Sequence, residues 1–132
     1  MAKEFKHKIK IYYEDTDSGG IVYYANYLKY LERARTEAIS SLGLSNTELF
    51  EKYKALIFVK SCDIKYFKPI KLEDEIEVRT KVISTTFTSF TMTQSILKDK
   101  EITTQATVRL VSVNHKGKPI KIPTVLKKLI II

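Results

Sequence analysis

The stretch Tyr12–Ile39, "YYEDTDSGGIVYYANYLKYLERARTEAI", changes its hydropathy period midway, and that change decides the fold. Upstream, Phe5, His7, Ile9, Ile11 and Tyr13 alternate with Lys6, Lys8, Lys10 and Tyr12, which predicts a strand with one wet face. "DSGG" (17–20) breaks the alternation. From about Tyr24 to Leu42, Tyr27, Leu31, Ala34, Ala38 and Leu42 recur at helical spacing beside Leu28, Arg35 and Ile39. Lys29, Glu32, Arg33 and Glu37 mostly fall elsewhere, and Gly43 is a natural stop. "SNTELFEKY" (45–53) predicts a short helical turn capped by Ser45 or Asn46.

The rest of the chain reads as β. Leu56 to Phe67 is a strand ended by Pro69. Ile76, Val78, Thr80 and Val82 alternate with Glu75, Glu77, Arg79 and Lys81. Phe90, Met92 and Ile96 share a face, as do Ile102, Thr104, Ala106, Val108 and Leu110 across the charged turn "LKDKE". "NHKGKP" closes a hairpin or ends that strand, and "IPTVLKKLIII" reads as a short strand followed by a helical turn. Short connections favour antiparallel pairing, so one long helix over one face of such a sheet gives an α+β layer fold. A single helix leaves sheet surface and edges bare, which a second copy would cover.

The 132 residues suit one domain, 1–132, with a real core, and no linker, repeat or low-complexity tract divides them. The N-terminus lacks an apolar leader and no run is long enough to be a transmembrane segment, so a soluble, cytoplasmic protein is expected. Cys62 is alone, His7 and His115 are far apart, and no HExxH, CxxC or GxSxG pattern occurs. Neither a metal nor a cofactor is expected. The formal net charge of +8 suits anionic partners or simply a solvated surface. A nucleic-acid platform needs aromatics interleaved with clustered bases, which this chain lacks, so no nucleic acid is expected.

Asp17 stands just before a flexible turn, with a helix start within about one turn's length. Helix N-termini expose unpaired N–H groups and partial positive charge. If the helix begins near Tyr24, the preceding "GIVY" offers no cap, and those donors can polarise a carbonyl as an oxyanion hole does. A carboxylate facing them can attack an ester or activate water. A plainer reading stands beside it: Asp15 and Asp17 as turn formers, with Asn26 as the N-cap.

The run "YYEDTDSGGIVYYANYLKYLERARTE" resembles the hotdog-fold thioesterases of the 4-hydroxybenzoyl-CoA thioesterase superfamily, with its nearest likeness to the YbgC (Tol–Pal-associated) family. "TDSGGIVYYANY" and "ERAR" carry the motif, and the strand order after the helix agrees over the whole chain. The resemblance implies a hotdog fold in which an antiparallel sheet wraps a long central helix. It implies a thioesterase acting on acyl-CoA, with Asp17 as the catalytic carboxylate, either nucleophile or general base. It implies that the Tyr24 backbone N–H holds the thioester oxygen, with Tyr13 near the site. It further implies a substrate groove between subunits of a homodimer, often paired into a homotetramer. Acyl carrier protein is a candidate partner. The chain departs from the family twice. Many YbgC-type relatives have His at the place of Tyr24, so only the backbone donor carries over. Basic residues that precede a Ser-Phe pair in some relatives are replaced here by Thr86, Phe87 and Thr88, ahead of Ser89 and Phe90.

Other residues have plainer roles. Glu32 and Arg35 are spaced to pair on the helix. His7 is expected to pack and His115 to be solvated. Cys62 is expected to fill a small core or half-buried space. Phe58, Phe90 and Met92 suit core packing or an acyl tunnel. The absence of tryptophan and of an obvious phenol-binding group favours aliphatic acyl chains. The rival to an enzyme is a non-catalytic module that holds acyl-CoA or acyl carrier protein in the same groove.

Overall fold

A computed structural model describes residues 3–129. Among them the strands are β1 (Glu4–Lys10), β2 (Leu56–Tyr66), β3 (Glu75–Thr85), β4 (Ser89–Lys98) and β5 (Glu101–Val113). The helices are α1 (Asn26–Ser40) and α2 (Asn46–Tyr53), with 3-10 turns at Tyr13–Asp15 and Thr124–Leu129. The five strands form one antiparallel sheet in the order β1-β3-β4-β5-β2. This is the α+β hotdog arrangement, with the sheet wrapped around α1. Register irregularities at Val59/Ser61, Val82/Ser84 and Ile96/Leu97 mark bulges, which bend and twist a sheet.

The inner face of the sheet is the alternating set anticipated above: Val78 and Val82, Phe90 and Met92, Ala106 and Val108, all buried. Tyr30, Leu31, Ala34 and Ala38 of α1 pack against it. Within this apolar layer sits fully buried Gln94. Its Nε2 donates to the Leu31 carbonyl and to Thr80 Oγ1, each at 3.0 Å, and its Oε1 accepts from Arg35 Nη1 at 2.9 Å. A buried amide is tolerable only when satisfied, and here it pins α1 to both β3 and β4.

Several expectations need correction. The helix is two residues shorter at each end than Tyr24–Leu42, because tight turns replace α bonds there. Asn26 N donates to the Tyr23 carbonyl at 2.9 Å, and Leu42 N to the Ile39 carbonyl at 3.1 Å. Gly43 does follow in the left-handed region, at φ 80°. Of the two caps expected for α2, Ser45 is the one used, accepting from Glu48 N at 3.0 Å. Arg35 bonds Gln94 and forms no ion pair with Glu32, whose carboxylate accepts from Thr36 Oγ1 at 2.8 Å. Cys62 and Phe58 are exposed rather than packed, because β2 is an edge strand with a single neighbour. Ile102 is exposed as well, since the bulge opposite Ile96 and Leu97 puts Thr103 and Thr104 inside.

Candidate active site

Between β1 and α1 the chain makes a 3-10 turn and then a tight reversal. Asp17 N donates to the Ile21 carbonyl at 2.9 Å and Gly20 N to the Asp17 carbonyl at 3.1 Å. Gly20 has φ 76°, a conformation that favours glycine. The reversal is backed by the 70–72 segment: Val22 N donates to the Ile70 carbonyl at 2.8 Å, and Leu72 N to the Gly20 carbonyl at 3.0 Å. Asp17 Oδ1 accepts from Gly19 N at 2.8 Å and, less closely, from Ile21 N at 3.4 Å. A side chain at Gly19 would bring its Cβ within 3.4 Å of that oxygen. The carboxylate is thus a turn former through Oδ1, as the plainer reading had it. Its Oδ2 has no hydrogen-bond partner among the described residues, and the residue is exposed.

The start of α1 is uncapped. Ala25 is the N-cap residue and offers no side-chain acceptor. Asn26 does not cap the helix either. Its Nδ2 turns away to the Asp15 carbonyl at 2.8 Å, and the same carbonyl accepts Tyr23 N at 3.1 Å. Among the described residues no acceptor takes the N–H of Tyr24. One carbonyl, two residues before Asp17, therefore anchors the helix start beside the carboxylate turn. Asp15 itself is structural: its Oδ2 accepts Tyr12 N at 2.9 Å and closes the 3-10 turn.

Tyr24 is largely exposed, its ring 4.9 Å from that of Tyr23. Tyr13 is more exposed still, at 82%, and only its carbonyl is engaged, by Thr16. Asp17 and the Tyr24 backbone are thus tied into one substructure, whereas the Tyr13 phenol is exposed and has no hydrogen-bond partner among the described residues. Tyr30 escaped sequence reasoning. Its hydroxyl is buried with no partner at hydrogen-bond geometry. Burial, then the charge of Asp15, raises its pKa above the usual phenol value. Only its place on the buried stripe of α1, three residues after Tyr27, could have flagged it.

Among the described residues no cluster of His, Cys, Asp and Glu could hold a metal ion. No described helix is long and apolar enough to cross a membrane. A surface depression of about 730 Å³ lies over β1 and β3 among side chains of both signs. It shares no residue with the Asp17 turn, and its mixed lining favours no ligand.

A family model described as the thioesterase-like superfamily matches residues 12–130. The chain belongs to this superfamily, in the hotdog group related to YbgC and 4-hydroxybenzoyl-CoA thioesterase, and its class is that of thioester hydrolases. It is 35% identical over 124 residues to the acyl-CoA thioesterase YbgC of Haemophilus influenzae, covering 93% of this chain and 91% of the relative. It is 36% identical over 121 residues to the acyl-CoA thioester hydrolase YbgC of Escherichia coli O157:H7, covering 90% of each. Among solved structures, a probable thioesterase from Bartonella henselae superposes with a TM-score of 0.88 at 27% identity, covering 92% of this chain and 100% of that one. A mutant 4-hydroxybenzoyl CoA thioesterase in complex with 4-hydroxybenzoyl CoA superposes at 0.91 with 18% identity, covering 98% and 100%, a likeness of fold alone.

Proposed function

We propose that the protein hydrolyses acyl-CoA to CoA and a carboxylic acid, acting on aliphatic acyl chains, with Asp17 and the Tyr24 N–H as its working groups. One observation carries this reading: an uncapped helix start is tethered through the Asp15 carbonyl to a turn whose carboxylate keeps one oxygen free. The thioester oxygen accepts the Tyr24 N–H, which strengthens as negative charge grows on that oxygen. Asp17 Oδ2 takes a proton from water as its oxygen bonds the carbonyl carbon, or attacks that carbon itself to give an anhydride that water then opens. Collapse of the tetrahedral intermediate breaks the C–S bond and expels the CoA thiolate, which takes up a proton. Tyr13 borders the thioester's approach.

The same reading includes a homodimer. The outer edge of β2 has no neighbouring strand among the described residues, and Phe58, Val59 and Tyr66 lie exposed along it. Pairing two such edges would satisfy their backbone groups and cover the aromatics. A tetramer or an acyl-carrier-protein complex would build on that dimer. Acyl-CoA is the substrate supported by the names of the relatives.

The test is release of free thiol from a panel of acyl-CoAs by the parent and by Asp17→Asn, with mass measured by sedimentation. The parent should turn over, and the variant should lose about 10²- to 10⁴-fold in rate while keeping its fold. Saturable binding of acyl-CoA without any thiol release would instead support a holding module.

A further inference from the structure

Among the described residues, buried side-chain polar atoms without a hydrogen-bond partner are Ser112 Oγ and the Tyr30 hydroxyl. A stranded buried hydroxyl is rare enough to need a physical reason. Tyr30 is 0% exposed, so its hydroxyl does not reach bulk water and finds any partner inside. Side chains on an α-helix lean toward its N-terminus, over the turn that precedes them. On α1, Tyr30 follows Asn26 by four residues, the neighbouring place on the face that carries the tether to Asp15. After burial itself, Asp15 acts most strongly on that hydroxyl, through charge and hydrogen bonding, ahead of Arg33 and Tyr27. Arg33 can only donate, and a carboxylate is a stronger acceptor than the Tyr27 phenol. Asp15 Oδ2 is taken by Tyr12 N, which leaves Oδ1 open among the described residues. The two groups fall short of hydrogen-bond geometry here. The last torsion of an aspartate is soft, so a modest turn of the carboxylate closes the pair.

We propose that Tyr30 is a positioning residue: its hydroxyl donates to Asp15 Oδ1 and fixes the residue whose carbonyl holds the start of α1. That carbonyl accepts Asn26 Nδ2 and Tyr23 N, so pinning Asp15 from below keeps the Tyr24 N–H in line with the Asp17 turn. A hydrogen bond to an ionised acceptor in a dry interior is among the stronger ones a side chain can make. Asp15→Asn does not cut the contact. Its amide nitrogen can donate to the hydroxyl oxygen while its amide oxygen keeps Tyr12 N. The effect on rate rests on the thioesterase reading, whereas the contact itself does not.

Thiol release from acyl-CoA would be measured for the parent, Tyr30→Phe, Asn26→Ala and the double variant, beside urea titrations and amide hydrogen exchange. Phenylalanine keeps the ring, so the core stays packed. Tyr30→Phe should lose about tenfold in kcat with KM within about twofold, since a misplacement of about 1 Å can cost about 10²-fold. The double variant should fall no more than about threefold below the slower single variant, because both act through Asp15. A folded Tyr30→Phe with parental kcat, a shifted urea midpoint alone, or losses that multiply would overturn the proposal. If no ester is hydrolysed, the thioesterase reading falls, and hydrogen exchange decides the contact by itself. The Tyr23 amide, bonded to the Asp15 carbonyl, should then exchange at least about tenfold faster in Tyr30→Phe, with β4 amides at parental rates. An unchanged Tyr23 rate, or a uniform rise across β4 as well, would overturn it.

Discussion

Asp15 and Asp17 are two residues apart and chemically alike, yet their surroundings divide their work. Asp15 spends its carboxylate on Tyr12 N and its carbonyl on Asn26 and Tyr23. Asp17 keeps Oδ2 open. Asp15→Asn should retain most activity, because an amide oxygen can still accept the Tyr12 N–H. An equal loss in folded Asp15→Asn and Asp17→Asn would remove Asp17 as the sole working carboxylate. Tyr24 separates backbone from side chain. Tyr24→Phe should be nearly parental, since the ring is exposed and the N–H remains. Tyr24→Pro deletes a donor that serves no described hydrogen bond, and proline is tolerated at helix starts. Its kcat should fall by about 10²- to 10³-fold with unchanged circular dichroism. A folded Tyr24→Pro protein with parental kcat would eliminate this N–H as the oxyanion donor. The motif pointed to these residues, while local spacing left a bare helix start and an Asn26 cap both open. The tether did not follow from spacing, because an asparagine at a helix start is equally suited to capping it.

The bond that joins 3-10 turn to helix is Asn26 Nδ2 to the Asp15 carbonyl. Asn26→Ala leaves Tyr23 N on that carbonyl, so no buried acceptor is stranded and the stability cost should be about 1 kcal/mol. Its effect on rate should be larger. A misplacement of about 1 Å can cost about 10²-fold, so we expect kcat to drop roughly tenfold or more at similar KM. Steady-state kinetics beside a urea titration separates the two, and an unchanged kcat would dismiss the tether as a positioning device. At this scale β3 was legible because its inner face alternates strictly, as in Ile76, Val78, Thr80 and Val82. What stayed hidden depends on distant partners. Arg35 looked suited to Glu32 three residues away, but its partner Gln94 is 59 positions on. Phe58 looked like core until the sheet order put β2 at an edge.

For the whole molecule, the aromatic core makes stability sensitive to alkali. Burial raises the phenols of Tyr27 and Tyr30 above their ordinary value of 10.0. Below pH 10 both states keep those protons and the contribution is complete. As pH rises further, the unfolded chain ionises first, so stability falls until the folded phenols ionise too. The urea midpoint should therefore be lower at pH 11 than at pH 8, with a smaller drop in Tyr30→Phe. An identical drop in that variant would exclude Tyr30 as a source. The sheet order also has a consequence in time. β3, β4 and β5 form a local meander, but β1 must wait for β3, and β2 for β5. Such distant pairings slow folding. On a ribosome adding about 5–20 residues per second, Asp17 emerges roughly 3 to 14 seconds before the end of β3. Throughout that interval neither β1 nor the 17–22 reversal has its full backing. The residues proposed to do the chemistry are made before the strands that back them, and we expect them to be among the last secured.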